Sequence, residues 1–205
     1  NTAMVWGATG GIGGALVERL ADESWTIIGL ARNPEAVTER SAHVIRTDVA
    51  DNDSVRHAVE KASEYVETVD LWIYAVGDIT SERVADMTPE DWARMITANL
   101  TGAYLAVHAS LPLMADDAHV VLLGAVSERL RLPGLAAYAA AKAGLEAFGD
   151  VLRKEERRRR VTVVRPKAVD TSLWDKVPFS MPPGAVDPKA LAKRVLEAYR
   201  DGERG

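Results

Sequence analysis

Trp6-Gly7-Ala8-Thr9-Gly10-Gly11-Ile12-Gly13 closes a short apolar run, Ala3 to Trp6, and passes directly into residues at helical spacing, Ile12, Leu16 and Leu20. A strand that turns into a helix through glycines lets backbone N–H groups approach phosphate oxygens, and the helix N-terminus adds partial positive charge. Gly13, just inside the helix, allows helix and strand to pack closely. The pattern fits a dinucleotide pyrophosphate, with Gly7, Thr9, Gly10, Gly11, Ile12 and Gly13 as the expected contacts. A tight turn without a ligand is the competing reading, and the position between strand and helix weighs against it.

Further apolar runs of strand length occur at Thr26 to Leu30, His43 to Arg46, Val69 to Val76, His119 to Val126 and Val161 to Val164. Helical spacing separates them, as in Val55, Val59, Ala62 and Val66, or Leu145, Phe148 and Leu152. Parallel strands need crossovers of this length, and a strand apolar throughout, such as Val120 to Leu123, expects cover on both faces. The expected fold is α/β: a doubly wound, open parallel sheet of about six strands with helices on both faces. Asp51 or Asp53 is placed to cap one helix and Thr88, before Pro89, another. The helix from Pro89 is expected to reach Leu111, and a last helix to span Pro188 to about Arg200.

At about 150 residues per domain, 205 residues argue for one domain over 1–205, and no repeat or change of composition divides it. Lys plus Arg, 25, against Asp plus Glu, 30, leaves a net charge of −5, the wrong sign for a nucleic-acid binder. The run Arg157 to Arg160 does not alter this, because it ends a helix, where carbonyls favour cations, beside Glu155 and Glu156. Without cysteine and with only 4 scattered His, thiolate chemistry is excluded and no metal is expected. No apolar run approaches the roughly 18 residues of a membrane span, and no basic stretch leads an apolar one at the start. No membrane partner is expected, and a cytoplasmic location is.

The second strand ends in Gly29-Leu30-Ala31-Arg32-Asn33, where a dinucleotide fold ordinarily carries a carboxylate for the ribose 2′-hydroxyl. No carboxylate stands there, and Arg32 offers a fork of donors suited to a 2′-phosphate, so NADP(H) is expected in preference to NAD(H). Asp48 has two readings, acceptor for the adenine amine or cap of the following helix. Tyr138 and Lys142, in the alanine-rich segment Ala136 to Gly144, share one helix face. An ammonium near a phenol favours phenolate, lowering its pKa from about 10 and suiting Tyr138 to exchange a proton with a carbonyl oxygen.

With these residues the chain resembles the short-chain dehydrogenase/reductase family over nearly its whole length. Gly7, Gly11 and Gly13 fall on that family's glycine pattern, and Tyr138 with Lys142 is similar to its Tyr-x-x-x-Lys signature. Asn99 in Ala98-Asn99-Leu100-Thr101-Gly102 looks like the family's helix asparagine, and Leu132-Pro133-Gly134-Leu135 resembles the segment before its tyrosine. The resemblance implies a Rossmann-like fold in which Tyr138 protonates a carbonyl oxygen as NADPH delivers hydride to carbon. It implies that Lys142 binds the nicotinamide ribose and lowers the tyrosine pKa, and that Asn99 holds a relay water. Val49, Ala75, Val76, Gly77, Pro166, Val169 and Thr171 are the remaining implied cofactor contacts, beside Asp48, Tyr138 and Lys142. A homodimer or homotetramer through the helices from Pro89 and Tyr138 is implied as well.

The chain also departs from the family. The serine expected thirteen positions before the tyrosine is Ala125, and losing one such donor costs on the order of 10² to 10³ in rate. Ser127, two residues on, points to the same side if the strand continues, and stands either as a catalytic substitute or as a turn residue or cap. The family's Asn-Asn-Ala-Gly is Tyr74-Ala75-Val76-Gly77, its Pro-Gly is Pro166-Lys167, and Asp201 to Gly205 falls where a seventh strand often follows. The expected activity is reversible reduction of a small or medium apolar carbonyl compound to an alcohol. A loop at about 171–187, carrying Trp174, Val177, Phe179 and Met181, is expected to cover the substrate. The alternative that Ala125 raises is a catalytically weakened NADP(H)-binding sensor or scaffold.

Overall fold

β1 (Thr2–Trp6) is buried on both sides, with Met4 and Trp6 in one core and Ala3 and Val5 in the other, the alternation a pleated strand imposes. The structure, a computed structural model, describes residues 1–36 and 43–202. The other strands are β2 (Thr26–Ala31), β3 (His43–Arg46), β4 (Val69–Tyr74), β5 (Met114–Leu123) and β6 (Arg160–Val164). Their order is β3-β2-β1-β4-β5-β6, with every neighbouring pair parallel. The expected doubly wound fold is therefore present, and the order reverses between β1 and β4, opening a crevice at their carboxyl ends.

On one face lie α1 (Gly11–Asp22) and α6 (Pro188–Arg200), burying Leu16, Leu20, Val195 and Leu196. On the other lie α2 (Asn52–Ser63), α4 (Gly102–Ser110) and α5 (Ala136–Glu155), burying Val55, Val107, Leu145 and Leu152. Asp51, not Asp53, caps α2, its Oδ1 accepting from the backbone N–H of Asp53 at 2.9 Å. Thr88 caps α3 (Pro89–Ile96) by accepting from the Asp91 N–H at 3.1 Å, and Asp187 caps α6.

Three expectations are corrected. The helix from Pro89 does not run unbroken to Leu111: a π turn, Thr97–Thr101, separates α3 from α4. Such a turn inserts a residue and frees carbonyls from the helical ladder, a device frequent at functional sites. β5 stops at Leu123, because the Gly124 N–H turns to the carbonyls of Leu122 at 3.1 Å and Val164 at 2.9 Å. The arginine run does not end a helix as expected, since α5 stops at Glu155 and Arg160 opens β6, and it serves packing: Arg159 donates to the carbonyls of Ala115, Leu111 and Met114, and Arg160 to that of Tyr199. Among the described residues no helix is long and apolar enough to cross a membrane, and no group of acidic or histidine side chains is gathered for a metal.

Gly149 on α5 rests on β6, where an added Cβ lies 2.3 Å from Val163 Cγ2. Gly149→Ala gains about 1 kcal/mol in helix propensity but overpacks a branched side chain, at about 1–3 kcal/mol. A thermal scan of this variant is expected to show a lowered midpoint despite the better helix former.

Candidate active site

The glycine turn occupies the carboxyl end of β1. Gly7 takes a left-handed φ of +85°, and a Cβ there would stand 2.9 Å from the backbone of Ala75 and Val76. A Cβ on Gly13 would stand 2.0 Å from the Gly7 carbonyl oxygen, so α1 begins in direct backbone contact with the strand it leaves. The first turn of α1 carries neither a side-chain cap nor an acidic residue. Its N–H groups and partial positive charge are thus left for an external anion. Above Gly11 lies Thr171, whose Cγ2 would be 2.6 Å from an added Cβ, so any side chain at Gly11 fills the space between turn and loop. A pyrophosphate fits these features: a bare backbone cradle at an acid-free helix N-terminus.

A cavity of about 500 Å³ extends from this turn. Of the expected contacts, Gly7, Thr9, Gly10, Arg32, Asp48, Val49, Ala75, Val76 and Gly77 line it. Gly13 acts through packing, while Gly11, Ile12, Tyr138, Lys142, Pro166, Val169 and Thr171 lie outside the lining. Asp48 does not cap α2, since Asp51 does; its Oδ1 accepts from the Ala50 N–H at 3.0 Å. Asn33, Asp78, Arg94 and Thr97 also line the cavity and were missed in the sequence. Arg94 and Thr97 were legible as one helix face only once that helix was placed against β4.

On the other side of Gly77 the polar groups of α5 and the π turn meet. From the position a Cβ on Gly77 would take, Asn99 Oδ1 is 3.2 Å and Lys142 Nζ 3.9 Å away. Asn99 is fully buried; its Nδ2 donates to the carbonyls of Asp78 at 2.8 Å and Met95 at 2.9 Å, leaving Oδ1 without a protein partner. Lys142 is buried too, donates to the Leu123 carbonyl at 2.9 Å, and lies 5.7 Å from the centre of the Tyr138 ring. Burial pushes the Lys142 ammonium down to about 8 and the Tyr138 phenol up to about 12. The expected lowering of the tyrosine by the lysine does not show here, where loss of surrounding water is the cause acting on each group.

Ala125 is buried where the family's serine is expected. Because β5 ends at Leu123, the extended-strand argument for Ser127 fails: that residue opens a 3-10 turn, Ser127–Leu130, and its side chain lies outside the described residues. The turn is tied down by Arg165, which pairs with Glu128 and with Glu146 on α5.

The loop after β6 closes back on the crevice. A one-residue parallel bridge joins Val169 to Val186, and Thr171 opens a 3-10 turn, Ser172–Lys176. Trp174 is anchored inward, its Nε1 donating to the Val169 carbonyl at 2.9 Å, whereas Phe179 and Met181 remain exposed. Lys176 reaches across to Asp78 at 2.6 Å, and Arg94 pairs with the same carboxylate. Burial raises the Asp78 carboxyl, but the hydrogen bond and charge of Lys176, with Arg94 beside it, hold it below the usual carboxylate range.

The short chain dehydrogenase family profile matches residues 1–179. The uncharacterized oxidoreductase SERP2049 of Staphylococcus epidermidis is 28% identical over 189 residues, covering 87% of this chain and 82% of the relative. A solved protein of Thermus thermophilus, described with the short-chain oxidoreductases, superposes with a TM-score of 0.84 at 30% identity, over 96% of this chain and 94% of that one. A 3-ketoacyl-(acyl-carrier-protein) reductase from Brucella melitensis, solved with NADH, shares the fold with a TM-score of 0.87 at 21% identity, over 97% and 90% of the two chains. The family profile spans most of the chain and the fold agrees with it, and the chain belongs to the short-chain dehydrogenases, an oxidoreductase family.

Proposed function

We propose that the protein is an NADP(H)-dependent oxidoreductase that reduces a carbonyl compound to an alcohol, reversibly. The observation that carries this reading is the meeting of Asn99 Oδ1 and Lys142 Nζ over Gly77, beside a cradle that suits a pyrophosphate. A bound nicotinamide dinucleotide supplies the hydride. The N–H groups at the start of α1 hold its phosphates, and Arg32 at the cavity wall holds a 2′-phosphate. Lys142, fixed by the Leu123 carbonyl, would bind a ribose hydroxyl of the dinucleotide. Tyr138, kept protonated by burial, gives its proton to the carbonyl oxygen, and Asn99 Oδ1 accepts from the water that resupplies it.

The methyl of Ala125 favours a second reading, an NADP(H)-binding protein with weakened turnover. Other features of the proposal rest on surface character. Trp92, Tyr104 and Val151, on α3, α4 and α5, are exposed apolar residues that suit a homodimer or homotetramer, and a cytoplasmic location belongs to the same proposal.

NADPH oxidation against aldehydes, ketones and diketones tests the reading. Turnover by the unmodified protein, abolished in Tyr138→Phe with NADPH binding retained, is the expected result; turnover only in Ala125→Ser favours the weakened protein. Arg32→Ala is expected to weaken NADPH binding on the order of tenfold or more, as loss of a charge-assisted pair implies, and NADH binding much less. Equal losses for the two cofactors in a fluorescence titration would remove the 2′-phosphate role. The lysine has its own signature in stability. Between pH of about 8, its folded value, and 10.5, its ordinary one, the unfolded chain carries a proton here that the folded chain has released. Stability therefore rises with pH across that window through this group. Denaturant titrations are expected to show the difference between the unmodified protein and Lys142→Met moving in favour of the former as pH climbs from 8 to 10.5.

A further inference from the structure

Tyr74, the last residue of β4, stands where the first asparagine of the family's Asn-Asn-Ala-Gly is expected. Tyr74 is fully buried, stacked on Trp72 at 6.2 Å between ring centres, and its phenol donates to the Ala98 carbonyl at 2.8 Å. Ala98 lies within the π turn, next to Asn99. A π turn frees backbone carbonyls from the helical ladder, and a freed carbonyl in the interior needs another donor. Two carbonyls at this junction accept from side chains: Met95, in the last turn of α3, from Asn99 itself, and Ala98, in the π turn, from Tyr74.

The space for this contact is built into the sequence on the opposite side. An added Cβ on Gly102, the first residue of α4, would stand 2.6 Å from the Tyr74 hydroxyl oxygen. Gly102 thus admits the phenol to the turn, and burial pushes the Tyr74 pKa further above its ordinary value, so it remains a donor throughout the working range.

We propose that Tyr74 is a positioning residue for Asn99, its phenol holding the π turn in the register that presents the Asn99 carboxamide oxygen beside Lys142. The inference deepens the proposed function, in that Asn99 matters to catalysis only if that reading holds. Tyr74 touches neither substrate nor cofactor; it acts through the Ala98 carbonyl.

Tyr74→Phe tests this with two readouts. Amide hydrogen exchange of the cofactor-free protein is expected to quicken on the order of tenfold across Thr97–Thr101, the loss of one buried hydrogen bond, with α5 and the central strands unchanged. Unchanged exchange at those amides, or a uniform increase over the sheet, overturns the proposal. In the NADPH oxidation assay, kcat is expected to fall with KM for NADPH unchanged, and the kcat–pH profile to shift as it does in Asn99→Ala. Tyr74→Phe combined with Asn99→Ala is expected to add nothing to Asn99→Ala alone, whereas additive losses overturn the link between the two residues. Gly102→Ala, which crowds the same hydroxyl, is expected to reproduce the exchange pattern should Tyr74→Phe fail to fold. If the unmodified protein oxidises NADPH with no carbonyl compound, the proposed function falls, while the exchange measurement still decides whether Tyr74 holds the turn.

Discussion

The contact on which the rest depends is between the backbone of Gly13 and the carbonyl oxygen of Gly7, where even one methyl group has no room. It presses the start of α1 onto the end of β1. Because Gly7 in turn lies against the backbone of Ala75 and Val76, the same contact draws the end of β4 to that point. Three elements converge without intervening side chains, so the crevice floor at the glycine turn is backbone. A site that presents N–H groups to an anion needs such an arrangement, since side chains would hold the ligand away.

Around that floor the polar side chains are held by carbonyls at the ends of elements. Lys142 takes the carbonyl of Leu123 at the last residue of β5, Asn99 that of Asp78 beyond β4, and Tyr74 that of Ala98 in the π turn. Each side chain thereby satisfies a backbone acceptor while it is held in place. Elsewhere the same logic has a structural outcome: His119, buried at the start of the β5–β6 pairing, bonds Thr162 at 2.8 Å, and burial together with the nearby Arg160 charge pushes its pKa down to about 4. It stays neutral there and takes no part in the crevice.

The glycine turn, the strands and the capped helices could be read from the chain because each depends on residues a few positions apart. Tyr138 and Lys142 were readable for the same reason, being one helical turn from each other. What escaped is set by distance in sequence or by burial. The π turn depends on Tyr74 reaching Ala98 from another element, the end of β5 on a bond from Gly124 to Val164, and the partnership of Asp78 with Lys176 on a loop that returns from β6. For Tyr138 the local pair predicts a lowered phenol, whereas burial, which spacing in the chain does not reveal, pushes it up.

The Asp78–Lys176 pair joins residues 98 apart in the chain. Closing so long a loop carries an entropic penalty that a single ion pair, offering about 0–1 kcal/mol when exposed, cannot offset. The pair can persist only where β4, β5, α5 and β6 have already brought its ends together. The crevice is in this sense a readout of finished topology: a chain that has collapsed, or paired only its first strands, carries the glycine turn and an uncapped α1 but has no roof over them.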